Sequence, residues 1–361
     1  MQGVKRISRV LFFGILLSLL YSVSVYDALE LRLLERLGQK RMANVVVAED
    51  SAPAAVPLPE ETGVPVLSRS DGPEALPEME PAAPPEAAGL TPLPGSADIR
   101  ETTIRGGLSI KNETGYWVDA GQMLRQGPGL TLPIAQPQIL IIHTHSSEAY
   151  TQAGLDRYEP SDANRTENTE FNIVRIGDEL AAIFQQAGLS VIHDRGIYDY
   201  PSYTGSYTRS GQAVGHYLRD YPGISMVIDI HRDALGSDGV VYKTMAEEEG
   251  VCASQVMLLV GTDESGLEHP GWQQNLALAL YLQNAVNSVN PTLMRPVDLV
   301  PQRYNQHLSP GSLILEVGSS GNTLQEALAA IRLFGNASAP ALLALVEPPP
   351  EPAEDQWQDA E

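Results

Sequence analysis

The stretch QILIIHTH, residues 138–145, runs four apolar residues straight into a His-Thr-His triplet. A short, unbroken apolar run of this kind is a strand buried on both faces, the form taken in parallel sheets. SMVIDIH (225–231), VMLLVG (256–261) and SLILEV (312–317) read the same way, and Leu189–His193 is a shorter strand. Helical stripes lie between them. Asn172–Ala187 has apolar residues at 173, 176, 180, 183 and 184, and Gly188 follows as a cap. Ser210–Arg219, Trp272–Val289 (stopped by Asn290-Pro291) and Thr323–Phe334 are further helices. Strands alternating with helices predict an α/β fold: a single three-layer domain over residues 100–346, with a mainly parallel sheet and helices on both faces.

The flanks of that domain differ from it. The 361-residue chain has 23 basic and 45 acidic residues, a formal charge of −22. Much of the excess lies in residues 49–98, with ten acids against Arg69, and in 347–361, with six acids and no base. Residues 51–98 also hold 11 prolines. A segment this acidic and Pro-rich cannot bury a core, so 48–99 is predicted to be a disordered tether and 347–361 a disordered tail. The folded part lacks the basic face that nucleic acid requires. At the N-terminus, residues 1–9 form a short basic segment with Lys5, Arg6 and Arg9, and 10–26 form an apolar run. Together they predict a single-pass transmembrane anchor at 10–26, followed by a juxtamembrane helix over 27–47. The basic flank keeps the N-terminus cytoplasmic and places the rest on the outer face of the cell membrane. Cys252 is the only cysteine, which excludes an internal disulfide and a thiolate metal cluster.

Three of the buried strands end in groups foreign to an apolar core: His143-Thr144-His145 with Glu148 just beyond, Asp229-Ile230-His231, and Glu316. In a parallel sheet these carboxyl ends open on one edge, where ligands bind. His143, His145, Glu148, His231 and Glu316 are therefore predicted to converge. Two or three His/Glu donors with one open position is the usual catalytic zinc arrangement, so Zn2+ is the expected cofactor. His143 and His145, at i and i+2, would share a strand face, and a buried imidazole pair without an ion is costly. Glu316 is either a ligand or a catalytic group. Glu170 opens the helix after the first strand, where capping of the helix dipole is the simpler role. Arg209 would hold a substrate carboxylate or an internal one. His193, His216 and His269 read as surface residues. No serine-nucleophile elbow, phosphate loop, dinucleotide fingerprint or H-E-x-x-H helix is present.

HTHSSEAY (143–150), TEFNIVRIGDELAAIF (169–184), YTRSGQAVGHYL (207–218), VIDIHRDA (227–234) and QRYNQHLSPGSLILEVGSSGNTLQEAL (302–328) together resemble the stage II sporulation protein P family. The likeness runs through nearly all of 138–335. It implies a bitopic branch of the zinc-dependent N-acetylmuramoyl-L-alanine amidases, acting on peptidoglycan at the sporulation septum. Such a protein cuts the amide between the lactyl group of the glycan and the stem peptide. Cleavage of peptide crosslinks is a second implied activity, and a catalytically inactive wall-binding scaffold is the alternative outside enzymology. The resemblance also implies a partner, a stage II sporulation protein D-like glycan hydrolase, and a role in septal thinning during forespore engulfment. Carried over by position, His231 fits the late histidine ligand, Glu316 the general base, and Glu170 the glutamate ligand. The H-T-H-x-x-E segment departs from the usual first motif of the amidases. Hence His143 and His145 both stand as first ligand, and Glu148 competes with Glu170.

Overall fold

Alternating strand and helix signals become alternating elements in a computed structural model that describes residues 98–104, 107–134, 137–237 and 239–347. The expected anchor, the juxtamembrane helix, the tether up to residue 97 and the tail from 348 lie outside the described residues. No helix among the described residues is long and apolar enough to cross a membrane. Strands β1 (Asp98–Thr102) and β2 (Ile110–Asn112) lead through helix α1 (Ala120–Gln126) into β3 (Ile139–Ile142). Next come α2 (Ile173–Ala187), β4 (Val191–His193), α3 (Ser206–Asp220) and β5 (Met226–Asp233). Strands β6 (Gly236–Ser237), β7 (Val240–Glu248) and β8 (Val251–Ser254) precede β9 (Val256–Gly261) and α4 (Trp272–Asn287). Strands β10 (Val297–Val300) and β11 (Ser312–Ser319) and helix α5 (Leu324–Leu343) complete the order.

Seven strands form one sheet in the order β2-β10-β9-β11-β5-β3-β4. Neighbours are parallel except β9 and β11, which run antiparallel. The sheet is therefore two parallel blocks pointing in opposite directions, and β1, β6, β7 and β8 form a smaller sheet of their own. Five of the six neighbouring pairs are parallel, as the sequence predicts, and what corrects the expectation of a single sheet is the smaller second one and the antiparallel junction. Its physical origin is local: no helix separates β5 from β9, so no crossover forces a parallel return. Instead β7 and β8 make a hairpin, turning at Glu249 (φ 50°) and Gly250 (φ 80°), and Gln255 alone joins β8 to β9.

Side-chain alternation sorts the central strands onto two faces. Ile139, Ile141, Ile228, Ile230, Leu313 and Leu315 belong to the larger core, with residues of α2, α4 and α5. Leu140, Ile142 and Val227 face the other way, toward Val214 of α3. Helix α2 is cut to fit: Asn172 caps it by accepting from Val174 N, and Gly188 ends it at φ 102°.

At Gly177 of α2, a Cβ atom would lie 2.5 Å from Nε2 of both His143 and His193. Those two nitrogens are 2.8 Å apart and hydrogen-bonded. Gly177→Ala therefore overpacks this contact, and the helix propensity gained, about 1 kcal/mol, is outweighed. A net loss of about 1–3 kcal/mol is expected, lowering Tm by roughly 3–10 °C in a thermal melt. A higher Tm would show that the two imidazoles yield freely.

Candidate metal centre

Strands β3, β5 and β11 are parallel neighbours, so their carboxyl ends share one edge of the sheet. Register then sets the side chains. Glu316 stands opposite His231, and Ile314 opposite Asp229. Asp229 and His231, two residues apart, fall on the α3 face with Val227, and Glu316 falls there with Ile314. Strand β3 stops at Ile142, and residues 144–147 form a turn closed by Glu148 N donating to His145 O at 3.1 Å. That turn carries His145 and Glu148 over to the end of β5.

His145, Glu148 and His231 meet there, buried, with one potential ligand atom of each within 4.8 Å of the others. Nδ1 of His145 is 3.7 Å from Glu148 Oε1, and Nδ1 of His231 is 3.6 Å from Oε2. Both separations are too long for hydrogen bonds. They are close to the roughly 3.3–3.5 Å between two ligand atoms of a tetrahedral zinc. Two imidazoles and one carboxylate around a shared point are a donor set that zinc fits.

The electrostatics favour the same occupant. Burial pushes His145 down to about 3, which leaves the ring neutral and its lone pair available. Burial alone would raise Glu148, but the Arg232 guanidinium, His231 and Arg165 more than offset it and keep the carboxylate ionised. Glu148 Oε2 also accepts from Arg232 N at 3.1 Å. Burial opposes charge on His231, yet Asp229 and Glu148 outweigh it and hold its pKa well above the ordinary value. A cation among the three donors would take over from that proton.

The other sequence-derived candidates sit elsewhere. His143 is fully buried but turned to the α2 face: its Nδ1 is 3.2 Å from Ile230 O and its Nε2 pairs with His193. The i, i+2 rule fails because the strand ends before His143. Glu170 is exposed and lies outside the ligand group. The helix starts after Asn172, so Glu170 belongs to the preceding turn, its own N–H donating to Asn168 Oδ1 at 3.1 Å. Arg209 spends its donors on the carbonyls of Tyr198, Ser202 and Thr204 and so clamps a loop rather than awaiting a carboxylate. His193 and His269 are not surface residues either: the His193 side chain is 9% exposed and His269 is 1% exposed.

Asp229 is the residue that sequence reasoning passed over. Its Oδ1 lies 3.0 Å from His231 Nε2, and it accepts from Thr144 N at 2.8 Å and Thr144 Oγ1 at 2.6 Å. The contact is a close ion pair and not an aligned hydrogen bond; a carboxylate held behind a ligating histidine orients the ring once it turns to donate. The signal was available: an acid two residues before a candidate ligand, on a buried strand. Asp229→Asn should weaken zinc binding about 10–100-fold, measured by competition with a chromophoric chelator. Unchanged affinity would detach Asp229 from the centre.

Comparisons with known proteins accord with the sequence resemblance. Residues 100–339 match the sequence model of the stage II sporulation protein P family. Stage II sporulation protein P of Bacillus subtilis (strain 168) is 25% identical over 203 residues, 52% of this chain and 47% of that protein. The chain thus spans about half the length of this curated relative. Two solved structures are similar at low level. The N-acetylmuramoyl-L-alanine amidase AmiC2 of Nostoc punctiforme is 14% identical over 58% of this chain and 94% of its own, with TM-score 0.32. The CwlD amidase of Clostridioides difficile, solved in complex with the GerS lipoprotein, is 12% identical over 58% and 99%, with TM-score 0.33. With the family's sequence model matched along the folded region, the chain belongs to the stage II sporulation protein P family.

Proposed function

We propose that this protein is a zinc-dependent N-acetylmuramoyl-L-alanine amidase that removes stem peptides from peptidoglycan at the sporulation septum. The observation that carries the reading is the buried His145–Glu148–His231 group with Glu316 in register beside it. Family membership supplies the sporulation setting. His145, Glu148 and His231 hold the ion, and Asp229 orients His231. Zinc bound there supplies Lewis acidity toward the scissile carbonyl and makes a water acidic at neutral pH.

Glu316 handles the proton. Burial, with Asp233 and Glu148 adding to it, raises its pKa to about 8, against the opposing pull of His231 and Arg295. Its Oε2 is buried with no hydrogen-bond partner, so nothing competes for the proton it accepts. A nearby cation would draw that pKa down toward neutrality, where a general base works best. As water oxygen bonds to the lactyl carbonyl carbon, Glu316 takes its proton. The C–N bond then breaks, and Glu316 returns the proton to the amine of the departing peptide. The anchor at 10–26 places the domain outside the cytoplasmic membrane, and a stage II sporulation protein D-like glycan hydrolase supplies the complementary glycan cut.

Mass spectrometry of digested sacculi should show free stem peptides and peptide-free glycan. Uncrosslinked muropeptides with peptide still on the glycan would make the enzyme an endopeptidase, and an untouched wall would make it a scaffold. Glu316→Gln should keep zinc content near wild type while lowering turnover about 10²–10⁴-fold. Zinc lost together with activity would make Glu316 a ligand.

A further inference from the structure

One side chain at the site has a polar group that the proposed chemistry leaves unused. Tyr207, in the first turn of α3, packs on three sides. Its ring meets His145 edge to face at 5.3 Å and lies 5.4 Å from the ring of Tyr304. It also rests against the apolar cluster of Leu259, Val300 and Ile314. Ile314 and Glu316 share a face of β11, so Tyr207 stands between the ligand His145 and the strand that carries the base. The hydroxyl of this half-buried residue has no hydrogen-bond partner among the described residues. A Phe would pack equally well there, whereas this hydroxyl is not among the sealed, unpaired polar atoms and so is open to a ligand at the site.

We propose that Tyr207 is a catalytic residue whose hydroxyl donates a hydrogen bond to the scissile carbonyl oxygen as that oxygen becomes an oxyanion. The proposal rests on the hydrolytic reading of the site. Tyr207 keeps its proton throughout: water adds to the carbonyl carbon, the C–N bond breaks, and the one proton transferred travels through Glu316. A phenol keeps its proton at neutral pH and so serves as a donor. Donors placed where charge develops act most strongly in a water-poor site. Position is held from both ends. Arg209, two residues further along α3, ties down the loop carbonyls of Tyr198, Ser202 and Thr204. Tyr304 backs the ring.

Tyr207→Phe in the full zinc-loaded chain keeps the packing and removes the donor. Zinc content, Tm and KM should stay at wild-type values while kcat falls about 10²–10³-fold, the usual loss for one oxyanion donor. Calorimetry supplies a readout apart from turnover: a phosphinate analogue of the lactyl–alanine amide should bind the variant at least tenfold more weakly than wild type. The parallel variant Tyr304→Phe should retain at least a third of wild-type kcat. Wild-type kcat and phosphinate affinity in Tyr207→Phe would overturn the assignment, as would loss of zinc, or a rate loss confined to Tyr304→Phe. Crosslink cleavage by the wild-type enzyme would change the bond assigned above but not this ratio, because either amide passes through an oxyanion. A wild-type chain that releases neither product overturns both.

Discussion

Desolvation of one carboxylate, that of Glu148, is the constraint on which the rest of the site depends. A buried charge of this kind persists only where donors and opposite charge surround it. Glu148 is 5% exposed, and its neighbours are the Arg232 N–H at 3.1 Å, the Arg165 guanidinium at 3.5 Å and two imidazoles. Each neighbour is tied to a separate part of the chain. Arg232 follows His231 on β5, and its guanidinium donates to the carbonyls of Ala149 and Asn164. Arg165 pairs with Asp199 at 2.9 Å, and Asp199 accepts from Ser147. The loops after β3 and β4 and the end of β5 are thus fastened around one anion. Two arginines keep it ionised, and two neutralisable imidazoles leave room for a cation.

The aromatic wall follows from the same arrangement. His145 stacks on Tyr203 at 4.6 Å, and the Arg165 guanidinium covers that ring at 5.1 Å. An imidazole held between Tyr203, Tyr207 and His231 has little rotational freedom, so its lone pair stays aimed. Preorganisation of this kind places side chains before substrate arrives and avoids the entropic cost of assembling them.

Much of this was legible in the sequence, for reasons that separate strong signals from weak ones. β3, β5, β9 and β11 announced themselves as apolar runs because both their faces are covered. α2 did so by its stripe and its glycine cap. β7 and β8 did not, because they are half-covered and charged: KTMAEEE alternates Thr244, Ala246 and Glu248 inward, and Glu248 lies in a buried slot. The antiparallel junction of β9 and β11 is a matter of connection, which local pattern does not encode. Strand ends alone marked His145, Glu148 and His231, which the structure brings together, and Glu316, which stands in register with His231. His143 was drawn in by extending strand alternation past the last strand residue, and Glu170 by treating a pre-helical turn as helix. Asp229 carried a mark, an acid two residues before a candidate ligand on a buried strand, whereas Tyr207 carried none, since its surroundings come from what packs against it.

Metal analysis of the full chain purified without chelators, alongside single-residue variants, decides whether His145, Glu148 and His231 hold zinc. The account predicts one zinc per chain in the wild-type protein, lost on His145→Ala, Glu148→Ala or His231→Ala, and retained on His143→Gln or Glu170→Ala. A wild-type chain without zinc, or one that loses zinc with His143 or Glu170 while keeping it without His145, would contradict it.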